Sequence, residues 1–334
     1  MGNGILKFNG GAYIAAAASV VGETEYEGPL GDCFDMNDPT DKFGMKTWEM
    51  AESEMQRLAF NTALAKLSAS ERDVGVLFAG DLLNQCVGSS YGLLDFDIPY
   101  FGLYGACSTA AEGLTLAAMS VAAGYFGTAA AVTSSHFCSA ERQYRTPIEY
   151  GAQRTPTAQW TVTGAGAFMV RAEGEVEIAE ALPGIVVEKG INDASNMGAA
   201  MAPAAADTIS RYFRLGDTSP EDFDMIVTGD LGAEGGEILC ELLLADGIDI
   251  RKIYNDCGIM IYDAKRQDKH AGGSGCGCSA VVLASYLYPK LAAGELKNIL
   301  IIGTGAMMSP ACIQQGQAIP AVAHLVRLRS KGKK

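Results

Sequence analysis

Histidine is scarce in this chain, with three among 334 residues. So few imidazoles leave little from which to build a metal centre, and the cysteines do not make up for it. The nine cysteines stand at positions 33, 86, 107, 138, 240, 257, 276, 278 and 312. They are odd in number and without framework spacing, which excludes a disulfide scaffold and reads as reduced thiols in a cytosol-like compartment. Cys276-x-Cys278 lacks the two-residue gap of a zinc or redox pair. Positive charge is also short: 25 Lys and Arg stand against 39 Asp and Glu, a net −14. That balance excludes nucleic-acid binding as the main task. It does not exclude a small anion, because screening acts over roughly 8 Å and a local cationic lining can outvote the global charge. No basic n-region with a cleavage pattern opens the chain, so no signal peptide is read. Neither G-x-G-x-x-G nor a P-loop is found, and no cofactor or metal is expected.

Charge is missing altogether from two long stretches, Gly113 to Ala140 and Ala271 to Pro289. The first is long enough to cross a membrane. Gly124 and Gly127 interrupt it, however, and Ala and Ser dominate it. A buried helix followed by a buried strand explains it better, and the second stretch reads the same way. A soluble chain with no transmembrane segment is expected.

What the sequence does have is an internal repeat. A helical segment, Thr47 to Leu67, leads into an acidic turn at Ser70, an apolar run, and Gly80-Asp-Leu82. A second, Ala204 to Leu215, leads into an acidic turn at Ser219, an apolar run, and Gly229-Asp-Leu231. Each apolar run has the signature of a buried strand. Further on, Gly105-Ala-Cys-Ser-Thr109 and Gly275-Cys-Gly-Cys-Ser-Ala280 each open a buried helix followed by a strand. This alignment pairs Cys107 with Cys278. Two such halves, 1–172 and 173–334, predict α/β layers with sheets covered on both faces and helices back to back in the middle.

Chemistry concentrates at the helix starts and strand ends. Cys107 precedes a helix N-terminus, whose partial positive charge and free N–H groups suit a nucleophile. A small buried cysteine in a tight turn is the alternative. His136 follows a strand end, where ligands bind in layered α/β folds. His136, Arg142 and Arg145 together can face an anion; otherwise they are a satisfied histidine and two surface arginines. Asp230 is either a helix N-cap or a pocket residue. The Gly272 to Cys278 turn can present backbone N–H groups to an anion. Phe101, Tyr104 and Phe137 are candidate ring contacts. His270 is expected on the surface and His324 in a structural role.

At this point the motifs carry a resemblance. The duplicated halves and the cysteine at a helix start are similar to the thiolase superfamily, which includes the ketoacyl synthases. A closer resemblance is to the stage V sporulation protein AD family of endospore-forming bacteria. It rests on Glu27-Gly-Pro-Leu-Gly31, Ala79-Gly-Asp-Leu-Leu-Asn-Gln85, Gly105-Ala-Cys-Ser-Thr109, Ala140-Glu-Arg-Gln143, Met201-Ala-Pro-Ala-Ala-Ala-Asp-Thr-Ile209 and Ala271-Gly-Gly-Ser-Gly275. The resemblance implies a thiolase-like α-β-α-β-α fold with two pseudo-symmetric halves, and a homodimer. It implies binding of dipicolinic acid (pyridine-2,6-dicarboxylate) during its uptake into the developing spore. It also implies work beside other stage V sporulation proteins, peripheral to the inner membrane of the forespore or spore. The ligand-binding set expected here is Cys107, Ser135, His136, Arg142, Arg145, Asp230, Ser274, Gly275 and Cys276. Thiolase-like enzymes carry a histidine where Asp230 stands, and a histidine or asparagine near Ser274. With those partners replaced, binding without catalysis is expected. The alternative is an acyl-transfer or condensing enzyme with Cys107 as nucleophile.

Overall fold

The computed structural model describes residues 4–144 and 154–332. Ten of its strands carry the architecture. In the first half these are β1 (Tyr13–Gly22), β2 (Val76–Gly80), β3 (Tyr100–Leu103), β4 (Thr128–Ser135) and β5 (Gly164–Arg171). In the second half they are β6 (Val176–Leu182), β7 (Met225–Thr228), β8 (Tyr254–Asp256), β9 (Asn298–Ala306) and β10 (Ala321–Ser330). From one edge to the other the order is β8-β7-β9-β10-β6-β1-β5-β4-β2-β3. Read outward from the β6/β1 junction, both halves follow the same order: first, fifth, fourth, second, third. The junction itself is short, pairing Tyr13 and Ile14 with Glu177 and Val176.

Helices fill three layers around these sheets. Helix α1 (Trp48–Lys66) covers the outer face of the first sheet. Its N-cap is Thr47, whose hydroxyl accepts from Met50 N at 3.3 Å. It buries Met55, Ala59, Phe60 and Ala63, spaced along one face as an amphipathic helix requires. Helix α2 (Thr109–Ala122) follows Cys107, and α3 (Phe137–Tyr144) follows His136. Helix α4 (Met197–Leu215) covers the second sheet, with α5 (Gly232–Ala245) beside it. The sequence places the start of α4 at Ala204, but it begins seven residues earlier, capped by Asn196. Pro203 therefore lies inside the helix. Beyond the first turn its missing N–H costs one internal bond, and the packing of the helix's buried face, which includes Met201, Ala202, Ala204 and Ala205, offsets the loss.

Helix α6 (Cys276–Val282) runs on through a π turn to Ala293. It lies with α2 between the two sheets. The pair is small-residue rich, and two strand glycines let it approach closely. A Cβ on Gly303 would lie 2.7 Å from Ala111 Cβ, and one on Gly166 2.8 Å from the Ala280 backbone. The stretch Cys276–Ala293 is long and apolar enough to cross a membrane, yet 67% of it is buried in the fold. It is a core helix, which explains its lack of charge.

Candidate functional site

Each half places a left-handed residue directly before a cysteine at a central helix start. Ala106 has φ 51° before Cys107, and Gly275 has φ 100° before Cys276. The geometry thus pairs Cys107 with Cys276, two residues from the Cys278 that the sequence alignment pairs with it. Gly275 is required there: a Cβ would meet Ser135 Oγ at 2.6 Å.

Cys107 is buried among Leu82, Ala140, Cys276 and Tyr144. The carboxylate of Asp230, which comes from the other half, is the charge that acts most strongly on the Cys107 thiol. Burial first, and then the negative charge of Asp230, push the thiol well above its ordinary pKa. The Gly275 N–H opposes this only weakly. Asp230 itself is fully buried, and burial raises it to about 6. Its Oδ1 accepts from Thr304 Oγ1 at 2.7 Å, and its Oδ2 from Gly275 N at 2.9 Å and Ser274 Oγ at 3.4 Å. Gln159 clamps the backbone behind it, donating to Asp230 O at 2.6 Å and Gly273 O at 2.9 Å. Of the two readings of Asp230, the N-cap falls away. Asp256 does that work, accepting from Leu231 N at 2.8 Å and Gly232 N at 3.2 Å.

Cys276 donates to Ser134 O at 2.9 Å. It faces the repeat's other carboxylate, Asp81, and beside that Glu52. Ser135 bridges strand and turn, donating to Val162 O at 2.7 Å and accepting from Gly277 N at 3.1 Å. The structure thus brings Cys107, Asp230, Ser274, Gly275, Cys276 and Ser135 together.

His136 is not free to join them as a ligand donor. Its Nδ1 accepts from Cys138 N at 3.1 Å, which leaves the proton on Nε2 to bond Asp41 O at 2.8 Å. Burial also lowers its pKa, which favours the neutral ring. It packs against Trp48 at 5.4 Å and ties residue 41 to the start of α3. Arg142 pairs with Glu49 and is about half exposed. Both line a cavity of about 300 Å³ with Leu83, Asn84, Ser139 and Gln143. Arg145 lies outside the described residues. Of the ring candidates, Phe101 is exposed and stacks on Phe78, Tyr104 bonds Asn84 at 3.0 Å, and Phe137 stacks on Trp160 at 3.8 Å. Tyr144 instead packs against the cluster that holds Cys107, its hydroxyl donating to Leu82 O at 2.5 Å. His270 pairs with Asp268 at the surface, and His324 Nδ1 accepts from Gly184 N at 3.0 Å, as expected of each.

A buried acidic network behind the site had no place in the sequence reading. Glu52 accepts from Ser134 Oγ at 3.0 Å and Ser139 Oγ at 2.7 Å. Burial, then the nearby Asp81, raise it to about 8. Asp81 is raised as well, although Leu83 N and Ser89 N and Oγ donate to it. The repeat itself marks Asp81, since it occupies the place of Asp230 in the first half.

A doubled α/β layer fold with a cysteine opening a central helix is the architecture of thiolase-like proteins. Solved structures agree in fold. 3-Oxoacyl-(acyl-carrier-protein) synthase III from Aquifex aeolicus VF5 matches with a TM-score of 0.58 at 13% identity, covering 96% of this chain and 100% of that one. A variant of OleA from Xanthomonas campestris matches with a TM-score of 0.59 at 15% identity, covering 97% and 100%. The family described as stage V sporulation protein AD matches residues 2–329. Stage V sporulation protein AD of Bacillus subtilis (strain 168) is 42% identical over 321 residues, 96% of this chain and 95% of that protein. The chain belongs to the stage V sporulation protein AD family.

Proposed function

We propose that this sporulation protein binds dipicolinic acid without transforming it, as part of its uptake into the developing spore. The observation that carries the non-catalytic part is Asp230 opposite the Cys107 thiol. A nucleophilic cysteine needs a neighbour that takes its proton or stabilises the thiolate. A negative charge there does the reverse, and keeps the proton on the sulfur. Dipicolinate as the ligand rests on the family resemblance. The cavity beside Arg142 supports it, since about 300 Å³ lies in the range of small-ligand sites. A guanidinium is suited to a carboxylate, and α3, which carries Arg142, also covers Cys107 through Ala140. Calorimetry with the folded protein is expected to give saturable dipicolinate binding. Arg142→Ala should weaken it about tenfold or more, the loss of one charge-assisted bond. Absence of any binding heat overturns the reading.

One observation favours acyl transfer instead. The left-handed Ala106 before Cys107 is the kind of strained turn that presents a nucleophile. Intact mass after incubation with acyl-CoA distinguishes the two. An acyl adduct that vanishes in Cys107→Ser supports the enzyme.

The same proposal includes a homodimer, and work beside other stage V sporulation proteins at the inner membrane of the forespore or spore. Strand β3 ends the sheet order and presents Tyr100 and Phe101, 36% and 58% exposed. An apolar open edge of this kind invites pairing with a second copy. Light scattering is expected to report a dimer for the parent chain and monomer for Phe101→Glu. A monomeric parent removes this part of the proposal.

A further inference from the structure

Beyond the Cys107 site, a second cavity of about 580 Å³ lies between Thr24 and Glu27 on one side and Arg266, Gln267 and Lys269 on the other. Lys269 is 7% exposed. Its ammonium lies 3.1 Å from the centroid of the Trp160 ring, whose other neighbours include the stacked Phe137. The Arg154 guanidinium lies 4.7 Å from the same ring. Two cations thus share one aromatic ring, and among the described residues the Lys269 ammonium has no hydrogen-bond or ion-pair partner.

An ammonium this buried is costly without a counter-ion, and a ring face returns only about 2 kcal/mol. Glu25 is the nearby internal carboxyl, and it is a poor counter-ion. It is fully buried, and burial raises it to about 7. Its Oε1 is occupied by Tyr262 Oη and Thr163 N, and its Oε2 has no partner. Arg154 is held by Asp268 O at 2.9 Å and pairs with the Asp268 carboxylate at 3.8 Å, and Arg266 is held by the backbone oxygen of Glu27. Opposing charge comes from two exposed carboxylates, Glu27 at the cavity and Asp268 beside Arg154 and Lys269.

We propose that Lys269, backed by Arg154 and with Arg266 at the cavity wall, forms an oxyanion site for the carboxylate or phosphate group of a small ligand. The site adjoins the Cys107 centre through the chain. Trp160 pairs with Gly273, and Trp160 N donates to Gly272 O at 2.9 Å, in the turn that carries Ser274 and Gly275. An anion that draws Lys269 off Trp160 therefore acts on the first residues of that turn.

The chain has two tryptophans, so Trp48→Phe leaves Trp160 as the sole fluorescent reporter. Inorganic phosphate and acetate are titrated separately at ionic strength held constant with chloride. A saturable change in Trp160 emission is expected with at least one of them, and the arm that responds names the group. Lys269→Met should weaken the response about tenfold or more, and Lys269→Arg should retain part of it. Should Trp48→Phe fold poorly, the thermal upshift given by the same anions to the parent chain, compared with Lys269→Met, reads the same binding. Emission that follows chloride equally, or identical responses from parent and Lys269→Met, overturns the site.

Discussion

Glu52→Gln is expected to stabilise the folded chain at pH 8 by on the order of 3 kcal/mol and to flatten its dependence on pH. The cause is the burial of Glu52 and, after it, the charge of the nearby Asp81. In the unfolded chain Glu52 releases its proton near 4.5; in the fold it holds it to about 8. Between those values the folded state binds more protons than the unfolded one. Stability therefore falls as pH rises through this window, and levels off above it. Glu25, raised to about 7, and Asp230, raised to about 6, add to the fall with the same sign. Burial is the first cause in all three, so the fold is most stable at the acid end of the range. A glutamine keeps the shape of Glu52 and never ionises. Ser139 can still donate to His136 O while accepting from the new amide. Urea midpoints at pH 5 and pH 8.5 measure the effect. Equal pH slopes for parent and variant would mean that Glu52 ionises freely in the fold.

The parts of this site that were legible in the sequence are those that the repeat makes visible. The Gly-Asp-Leu at the end of β2 recurs at the end of β7, and the strand order repeats with it. Asp230 stood out as a candidate because it ends such a strand. Its thiol partner lies in the other half, so only folding shows that the two meet. The pairing of Cys107 with Cys278 failed for a local reason. Residue types repeat at one offset, whereas the backbone repeats at its left-handed residue, Ala106 or Gly275. His136 failed for another. A strand-end histidine looks available until Asp41 O and Cys138 N are seen to take both ring nitrogens. Glu52 was illegible because a glutamate on a polar helix reads as exposed. Only the close approach of α1 to β4 and α3 buries it against Ser134 and Ser139.

Asp230→Ala and Asp230→Asn are expected to part company, and the difference tests what Asp230 does to Cys107. Alanine removes the acceptor from Thr304 Oγ1, Gly275 N and Ser274 Oγ together. Unpaired buried donors cost about 1–3 kcal/mol each, so a loss of about 3–5 kcal/mol in unfolding free energy follows. Asparagine keeps the shape, and its amide oxygen still accepts from Gly275 N. Its amide nitrogen donates to Thr304 Oγ1, whose hydroxyl then turns to accept. Stability near neutral pH is therefore retained, and the part of the pH slope between 3.8 and about 6 disappears. The thiol reports the charge itself. Burial remains in Asp230→Asn, so the Cys107 pKa stays high, but the second-largest cause of its elevation is gone. Alkylation of Cys107 by iodoacetamide at pH 8, followed by peptide mass, should run several-fold faster in the variant, because loss of the negative charge leaves more thiolate. An unchanged rate in a variant that folds as well as the parent would show that burial alone silences the sulfur. The non-catalytic reading would then lose its main support, because Asp230 would no longer be the residue that sets the thiol apart from a working nucleophile.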